Sequence, residues 1–278
     1  MAKKIKKTAW AYFTDPRIVY SLTVLLLLCG VALLSGWVEM RWPYETDLAM
    51  RGLPPSWAHP LGCDLDGGDL WMSLIRGASI TLYVMGLTVL LSFSVGIMVG
   101  ILTGYWGGWL DTILMRVLDV VMAFPGILLA MAITAIMGPS VHTLIFAIAA
   151  TGWTGTARLV RGQVMSLKER DYVLAAVSLG ASTPRILWVY ILPSLWSVLL
   201  ISAAFSLSGV LLVEAGLSFL GLGAQDGAPT WGSLLNQGRS VLTESPHLSI
   251  IPGLCILVTV LALNFLGEAL RDYLDPRS

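Results

Sequence analysis

Ile18 to Val38 runs 21 residues without a formal charge, which as an α-helix is about 31 Å and enough for a hydrocarbon core of about 30 Å. Gly77 to Leu110 is also uncharged, and its most apolar part, about Ile80 to Leu102, predicts a second span closed by the turn Gly104-Tyr105-Trp106-Gly107-Gly108. Arg116 and Asp119 open a third. Val120 to Ala157 then holds 38 residues without a charge, too long for one crossing, and Met137-Gly138-Pro139-Ser140 is its natural break because Gly and Pro punctuate helices. The pattern therefore predicts spans three and four on either side of that break, span five over Ile186–Val213 and span six over Leu248–Gly267. Six helices place both termini on one side.

Composition agrees with the pattern. Apolar residues make up 56% of the 278 and charged residues 12%, against roughly 45 to 50% and about 25% in an ordinary soluble domain, so a soluble globular enzyme is excluded. Lys and Arg (17) cancel Asp and Glu (17), and no overall charge recruits nucleic acid. Position is what carries information. With the termini inside, the inner segments hold Lys3, Lys4, Lys6, Lys7, Arg17, Arg116, Arg158, Arg161, Lys168, Arg170, Arg185, Arg271 and Arg277, leaving Arg41, Arg51, Arg76 and Arg239 outside. That bias predicts cytoplasmic N- and C-termini. The basic Met1–Lys7 start is followed by Asp15, Arg17 and an apolar run too long for a signal peptide, which reads as an uncleaved first helix. The outer segment between spans one and two carries Glu39, Glu45, Asp47, Asp64, Asp66 and Asp69 and reads as a solvated cap.

The most informative inner stretch is Arg158 to Pro193. Ser166-Leu167-Lys168-Glu169 has the form of a capping box, so a short helix is expected from Ser166 through Asp171, Tyr172, Ala175 and Ala176 to Leu179. Gly180 stops it, tolerating the left-handed conformation past a helix end. Thr183-Pro184 restarts a helix, Thr as N-cap and Pro at the first position. Ala175 and Ala176 form a small face that lets another protein approach closely; the plain alternative is a connector between spans. Pro193 removes a backbone donor near the start of span five, and a kink or local unwinding is expected there.

These residues carry a family resemblance. Ala175-Ala176, then Gly180, then Leu192-Pro193 resembles the EAA loop of ABC-importer membrane subunits, with Leu174 where that motif has Glu. His59-Pro60-Leu61-Gly62-Cys63-Asp64 with Gly67-Gly68-Asp69 is similar to the segment before span two in the dipeptide/oligopeptide/nickel subfamily. So are Gly104–Gly108 with Asp111, Met115-Arg116, Asp119 and Ala123-Phe124-Pro125, and likewise Leu217–Gly223 with Trp231-Gly232. Asn264, Gly267, Leu270-Arg271-Asp272 and Leu274-Asp275-Pro276-Arg277 resemble the subfamily's C-terminus. The resemblance covers about Pro55 to Arg277 and points to the C-type of the two permease subunits.

The resemblance implies an all-α membrane protein with the type I ABC importer permease fold, spans two to six forming the core and span one outside. Residues 1–77 would form the tail, first helix and outer segment, 78–267 the five-helix core with a coupling loop at 158–190, and 268–278 a cytoplasmic tail. It implies an importer of di- or oligopeptides in the bacterial inner membrane, working with a second permease, two ATP-binding subunits and a periplasmic or lipid-anchored binding protein. Tyr172, Leu174, Ala175, Ala176, Gly180, Leu192 and Pro193 would couple to an ATPase subunit. The segments 39–76 and 214–247 would meet the binding protein. Nickel or glutathione are alternative cargoes on the same fold.

The remaining motifs add restraint. Gly96, Gly100 and Gly104 recur every four residues on one stripe of span two, a helix-packing pattern, with substrate lining as the minority reading. Asp111, Arg116 and Asp119 are expected to pair near the inner surface, Arg116 and Asp119 on one helix face. Cys29, Cys63 and Cys255 have no paired spacing, and His59, His142 and His247 are scattered, so no metal site is expected in this chain. No nucleophile elbow or phosphate loop is present. The chain is thus expected not to be an enzyme, with ATP and Mg bound by partner subunits. A proton- or sodium-coupled secondary transporter fits the hydropathy but calls for midplane carboxylates or inverted-repeat halves, and neither is visible.

Overall fold

The computed structural model describes residues 15–224 and 229–274. Lys3, Lys4, Lys6 and Lys7 and the C-terminal Asp275, Pro276 and Arg277 lie outside the described residues. Among those described, regular structure is helical apart from one isolated bridge between Cys63 and Asp69.

Helix α1 (Pro16–Arg41) begins where Asp15 accepts the Arg17 amide at 2.9 Å and Pro16 takes the first position. Helix α2 (Leu70–Trp106) is capped by Asp69, which accepts the Trp71 amide at 2.8 Å. Its 37 residues span about 55 Å at 1.5 Å per residue, so it starts ten residues before the expected Ile80. Arg76 interrupts the apolar run but not the helix, because Leu70, Leu74 and Ala78 on the same turns are buried in the core.

Gly107, at φ +64°, ends α2 in the expected turn, and α3 (Gly108–Met122) starts immediately. A second break then falls where the sequence pattern showed none. Helix α4 (Gly126–Met137) leaves α3 at an angle of 81°. Pro125 supplies no amide and biases Phe124 away from the helical region. With 12 residues, α4 is about 18 Å long, too short to cross alone, so the third span is a bent pair rather than the straight helix expected from Arg116 and Asp119 onward.

Helix α5 (Val141–Leu167) is capped by Ser140, and α6 is the short helix Asp171–Ser178. Helix α7 (Thr183–Phe219) contains a wide π-helical turn at Ile186–Ile191, α8 covers Trp231–Arg239, and α9 runs from His247 to Leu274. Among the described residues, five helices are long and apolar enough to cross a membrane, and the count is six when the bent pair is taken as one span.

Helix α2 lies against α5 along most of its length. Helix α1 stands at the periphery against α9 and α2, with its membrane face largely uncovered. Tyr20 meets Phe265 edge-on at 5.8 Å, Arg17 pairs with Asp272 at 2.9 Å, and Tyr273 donates to Asp15 at 3.3 Å. The start of α1 and the end of α9 therefore lie side by side at one end of the bundle.

Candidate functional site: a short exposed helix and a capped far end

The end that carries α6 is built from α5 outward. The apolar helix does not stop at Ser166, as a capping box there requires; Lys168 still donates its amide to Val164 at 3.0 Å. Val160 and Val164 pack into the glycine stripe of α2 and carry α5 through Ser166 with helical geometry. The short helix starts at Asp171, after a turn at Lys168–Arg170, and no side chain caps it. Lys168 instead reaches the Gly104 carbonyl at 3.1 Å, tying this turn to the end of α2.

On α6, Val173 and Ala176 are buried, Val173 in one cluster with Val160, Val164 and Ile186. The other face is open: Tyr172, Leu174, Val177 and Leu179 are 44%, 50%, 50% and 88% exposed, and Ala175 is exposed beside them. The small face expected from the sequence is thus divided. Ala175 faces out; Ala176 packs into the protein's own core. Gly180, at φ +79°, ends the helix, with the Ala181 amide reaching back to Ala176 at 3.0 Å and the Gly180 amide to Val177 at 2.9 Å, the paired bonds of a Schellman stop.

The next helix begins one residue earlier than expected, with Ser182 at the N-cap, Thr183 first and Pro184 second. Seven residues before Pro193, α7 widens into the π-turn, and the Leu192 amide bonds to Leu187, five residues back. Pro193 removes the next donor, and the wide turn relieves the clash of its ring with the preceding turn. Tyr172 meets Ser194 at 3.3 Å, joining α6 to α7 just past that turn. Leu192 packs on the cluster around Val173, and Pro193 is exposed.

Ion pairs brace this end between α3 and α5. Arg161 holds Asp111 in a fork, Nε to Oδ1 at 2.6 Å and Nη2 to Oδ2 at 2.7 Å. Arg158 holds Asp119 at 2.9 Å. The expected pairing of Arg116 with Asp119 along one helix is replaced by this crossing, because α5 presents its own arginines to α3. The glycine stripe sets the spacing behind them: a methyl group at Gly96, Gly100 or Gly104 would stand 2.6 to 2.8 Å from the Cβ of Thr156, Val160 or Val164.

Deeper in the bundle, α2, α4, α5 and α7 leave a cavity of about 260 Å³ lined by Ser92, Gly126, Thr151, Gly152, Ser206 and Gly209 among apolar side chains. Its walls carry no formal charge.

The far end is closed by a polar cap. Asp64, 3% exposed, accepts from the amides of Asp66 and Gly68 at 3.0 and 2.9 Å, from Tyr44 Oη at 2.7 Å and from Ser73 Oγ at 2.6 Å. Burial, with the Asp64 carboxylate beside it, pushes the Tyr44 phenol well above its ordinary range. His59 meets Asp69 at 3.0 Å, and Ser245 donates to the Gly52 carbonyl at 2.8 Å, pinning the cap to the approach of α9. Trp231, 1% exposed, drives the start of α8 into α2, its indole donating to Leu74 at 3.1 Å and its amide to Thr81 at 3.3 Å.

Two cap residues were not singled out for these roles by the sequence. Asp64 sits in a run, Asp64-Leu65-Asp66-Gly67-Gly68, whose turn chemistry signals local amide capture. Glu214 was placed just beyond span five, but α7 continues to Phe219 and buries it at 1% exposure. Only a polar residue one or two turns inside a long apolar helix would have hinted at that.

The architecture is thus a bundle of membrane-length helices with an uncharged cavity among α2, α4, α5 and α7 and a short helix, α6, that turns apolar side chains outward. The family model described as "Binding-protein-dependent transport system inner membrane component" matches residues 96–278. The chain is similar to the glutathione transport system permease protein GsiD of Pectobacterium atrosepticum, 41% identical over 256 residues, which is 91% of this chain and 84% of that protein. It is also similar to a putative peptide transport system permease protein of Brucella suis biovar 1, 40% identical over 92% of this chain and 86% of that protein. GsiD of an Escherichia coli O6 strain is 38% identical over 91% of this chain and 84% of that protein. The chain belongs to the binding-protein-dependent ABC permeases of the dipeptide/oligopeptide/nickel type and is a multi-pass protein of the bacterial inner membrane.

Proposed function

We propose that this chain is the C-type permease of an ATP-driven peptide importer, forming the translocation pathway with a second permease. In this reading α6 is the ridge on which an ATPase subunit docks, the termini are cytoplasmic, and ATP and Mg are bound by the two ATPase subunits. The observation that carries it is the divided face of α6. Val173 and Ala176 lock the helix from behind while Tyr172, Leu174, Ala175, Val177 and Leu179 stand open, although apolar side chains are normally depleted from a face in water.

Several features support the rest. The basic residues of the α5–α7 connection favour a cytoplasmic position, and the uncharged cavity among α2, α4, α5 and α7 suits passage of peptides of varied side chain. The cap end would receive substrate from a periplasmic or lipid-anchored binding protein. A relative named for glutathione favours a tripeptide cargo as the second reading.

The test is co-expression with candidate permease and ATPase partners, purification in detergent, and measurement of ATP hydrolysis for wild type and Leu174→Arg. Loss of co-purification or of hydrolysis in the variant is the expected result. Purification of the chain alone, or hydrolysis indifferent to the substitution, would overturn the proposal. Uptake of labelled dipeptide and labelled glutathione by the intact system separates the two cargo readings.

A further inference from the structure

Helix α7 is one element from the docking end to the cap. It leaves α6 through Ser182, passes the π-turn and Pro193, and ends at Phe219 beside α8. Its last two turns hold Glu214, whose carboxylate accepts from Ser218 Oγ at 2.7 Å. Ser218 in turn accepts from Thr230 Oγ1 at 3.3 Å. Thr230 is the N-cap of α8, its hydroxyl accepting the Ser233 amide at 3.2 Å while Ser233 Oγ accepts the Thr230 amide at 2.8 Å. A buried chain of polar groups therefore runs from α7 to the first residue of α8.

The backbones meet at the same place. A methyl group on Gly232 would stand 2.7 Å from Ala215 Cα and 2.8 Å from Ser218 Cβ, so nothing larger than hydrogen fits between α8 and the end of α7. A carboxylate withdrawn from water in an apolar helix is strongly unfavourable unless it is hydrogen-bonded; here Oε1 takes the Ser218 hydroxyl, which leads on to α8, while Oε2 is buried without a partner.

We propose that Glu214 is a positioning residue that fastens α8 to α7, so that the cap segment and the docking helix move as the two ends of a single body during the transport cycle. The inference rests on the proposed function, in which α6 receives the ATPase and the cap receives the binding protein. Motion imposed at α6 then reaches the substrate-delivery face through α7 without passing through the pathway, and contact at the cap is felt at the ATPase by the same route.

The test uses the complete assembly in lipid nanodiscs with its binding protein. Basal and binding-protein-stimulated ATP hydrolysis are measured for wild type, Glu214→Gln, Glu214→Ala and Ser218→Ala. Glu214→Gln keeps the acceptor and should stay within twofold of wild type in both rates. Glu214→Ala and Ser218→Ala should lose at least fivefold in stimulation while the basal rate stays within twofold. Stimulation unchanged in both, or basal and stimulated rates falling in parallel, would overturn the proposal.

A second measurement is independent of stimulation. Spin labels at Arg185, exposed at the start of α7, and Ser240, with Cys29, Cys63 and Cys255 replaced by Ala, should report one separation in nucleotide-free and ATP-bound states, broadening in Glu214→Ala. A separation that changes with nucleotide in the otherwise unaltered chain would sink the single-body idea. An assembly that never forms refutes the proposed function itself, whereas one that hydrolyses ATP but ignores Glu214→Ala refutes this inference alone.

Discussion

At the cap end, Asp64 is 3% exposed and takes four hydrogen bonds, whereas at the α6 end the carboxylates of Asp111 and Asp119 stay in contact with water and α6 turns leucines outward. One end gathers its polar groups around a buried carboxylate, leaves Glu214 Oε2, His247 Nε2 and Ser249 Oγ buried without a partner, and exposes Leu48, Leu53 and Trp57 on the segment before α2. The other exposes its apolar side chains on a helix braced from behind by buried ones. Polar capture organises the first end, and helix packing the second.

The contrast is broken most severely by Asp64→Ala, which strands Tyr44, Ser73 and two amides in a buried setting. Leaving buried donors unpaired is strongly destabilising, and a loss of about 3 to 5 kcal/mol is expected, read as a lowered Tm of the chain in detergent. Gly100→Val comes next, since a methyl there already stands 2.6 Å from Val160 Cβ. Overpacking of this kind costs about 1 to 3 kcal/mol, and a thermal scan in detergent that leaves the midpoint unmoved would show α2 and α5 able to separate.

Smaller effects sharpen the comparison. Arg161→Ala removes a forked, partly shielded pair and should cost about 1 kcal/mol. Arg158→Ala removes a pair whose side chains are both 53% exposed and should change stability by less than about 0.5 kcal/mol. Equal effects for the two would mean that shielding at the α3–α5 junction is uniform.

The spans were legible in the sequence because charge-free runs of membrane length have few alternative solutions. Their ends were not: α2 and α7 continue past the charges that closed the runs, since Arg76 pairs with Glu39 on α1 and lies over Tyr44, and Glu214 takes the Ser218 hydroxyl one turn further along α7. The bend at Ala123–Pro125 was hidden because Pro125 lies in a run that hydropathy alone cannot divide. Around α6, Gly180 and Pro193 announced themselves through backbone chemistry, which is local. Which face of α6 is buried did not, because it depends on Val160 and Ile186 approaching Val173 from other helices. Ser166 shows the converse, a local capping signal overridden by packing along α5.

The π-turn at Ile186–Ile191 is geometrically an α-helix with one residue too many. Removing a residue there would let an ordinary helix close, and would turn everything on its N-terminal side by about 100° and draw it in by about 1.5 Å. The surplus residue therefore fixes the heading of Leu174 and Leu179. A one-residue deletion at this point would aim the same exposed side chains in another direction without any change in α6 itself.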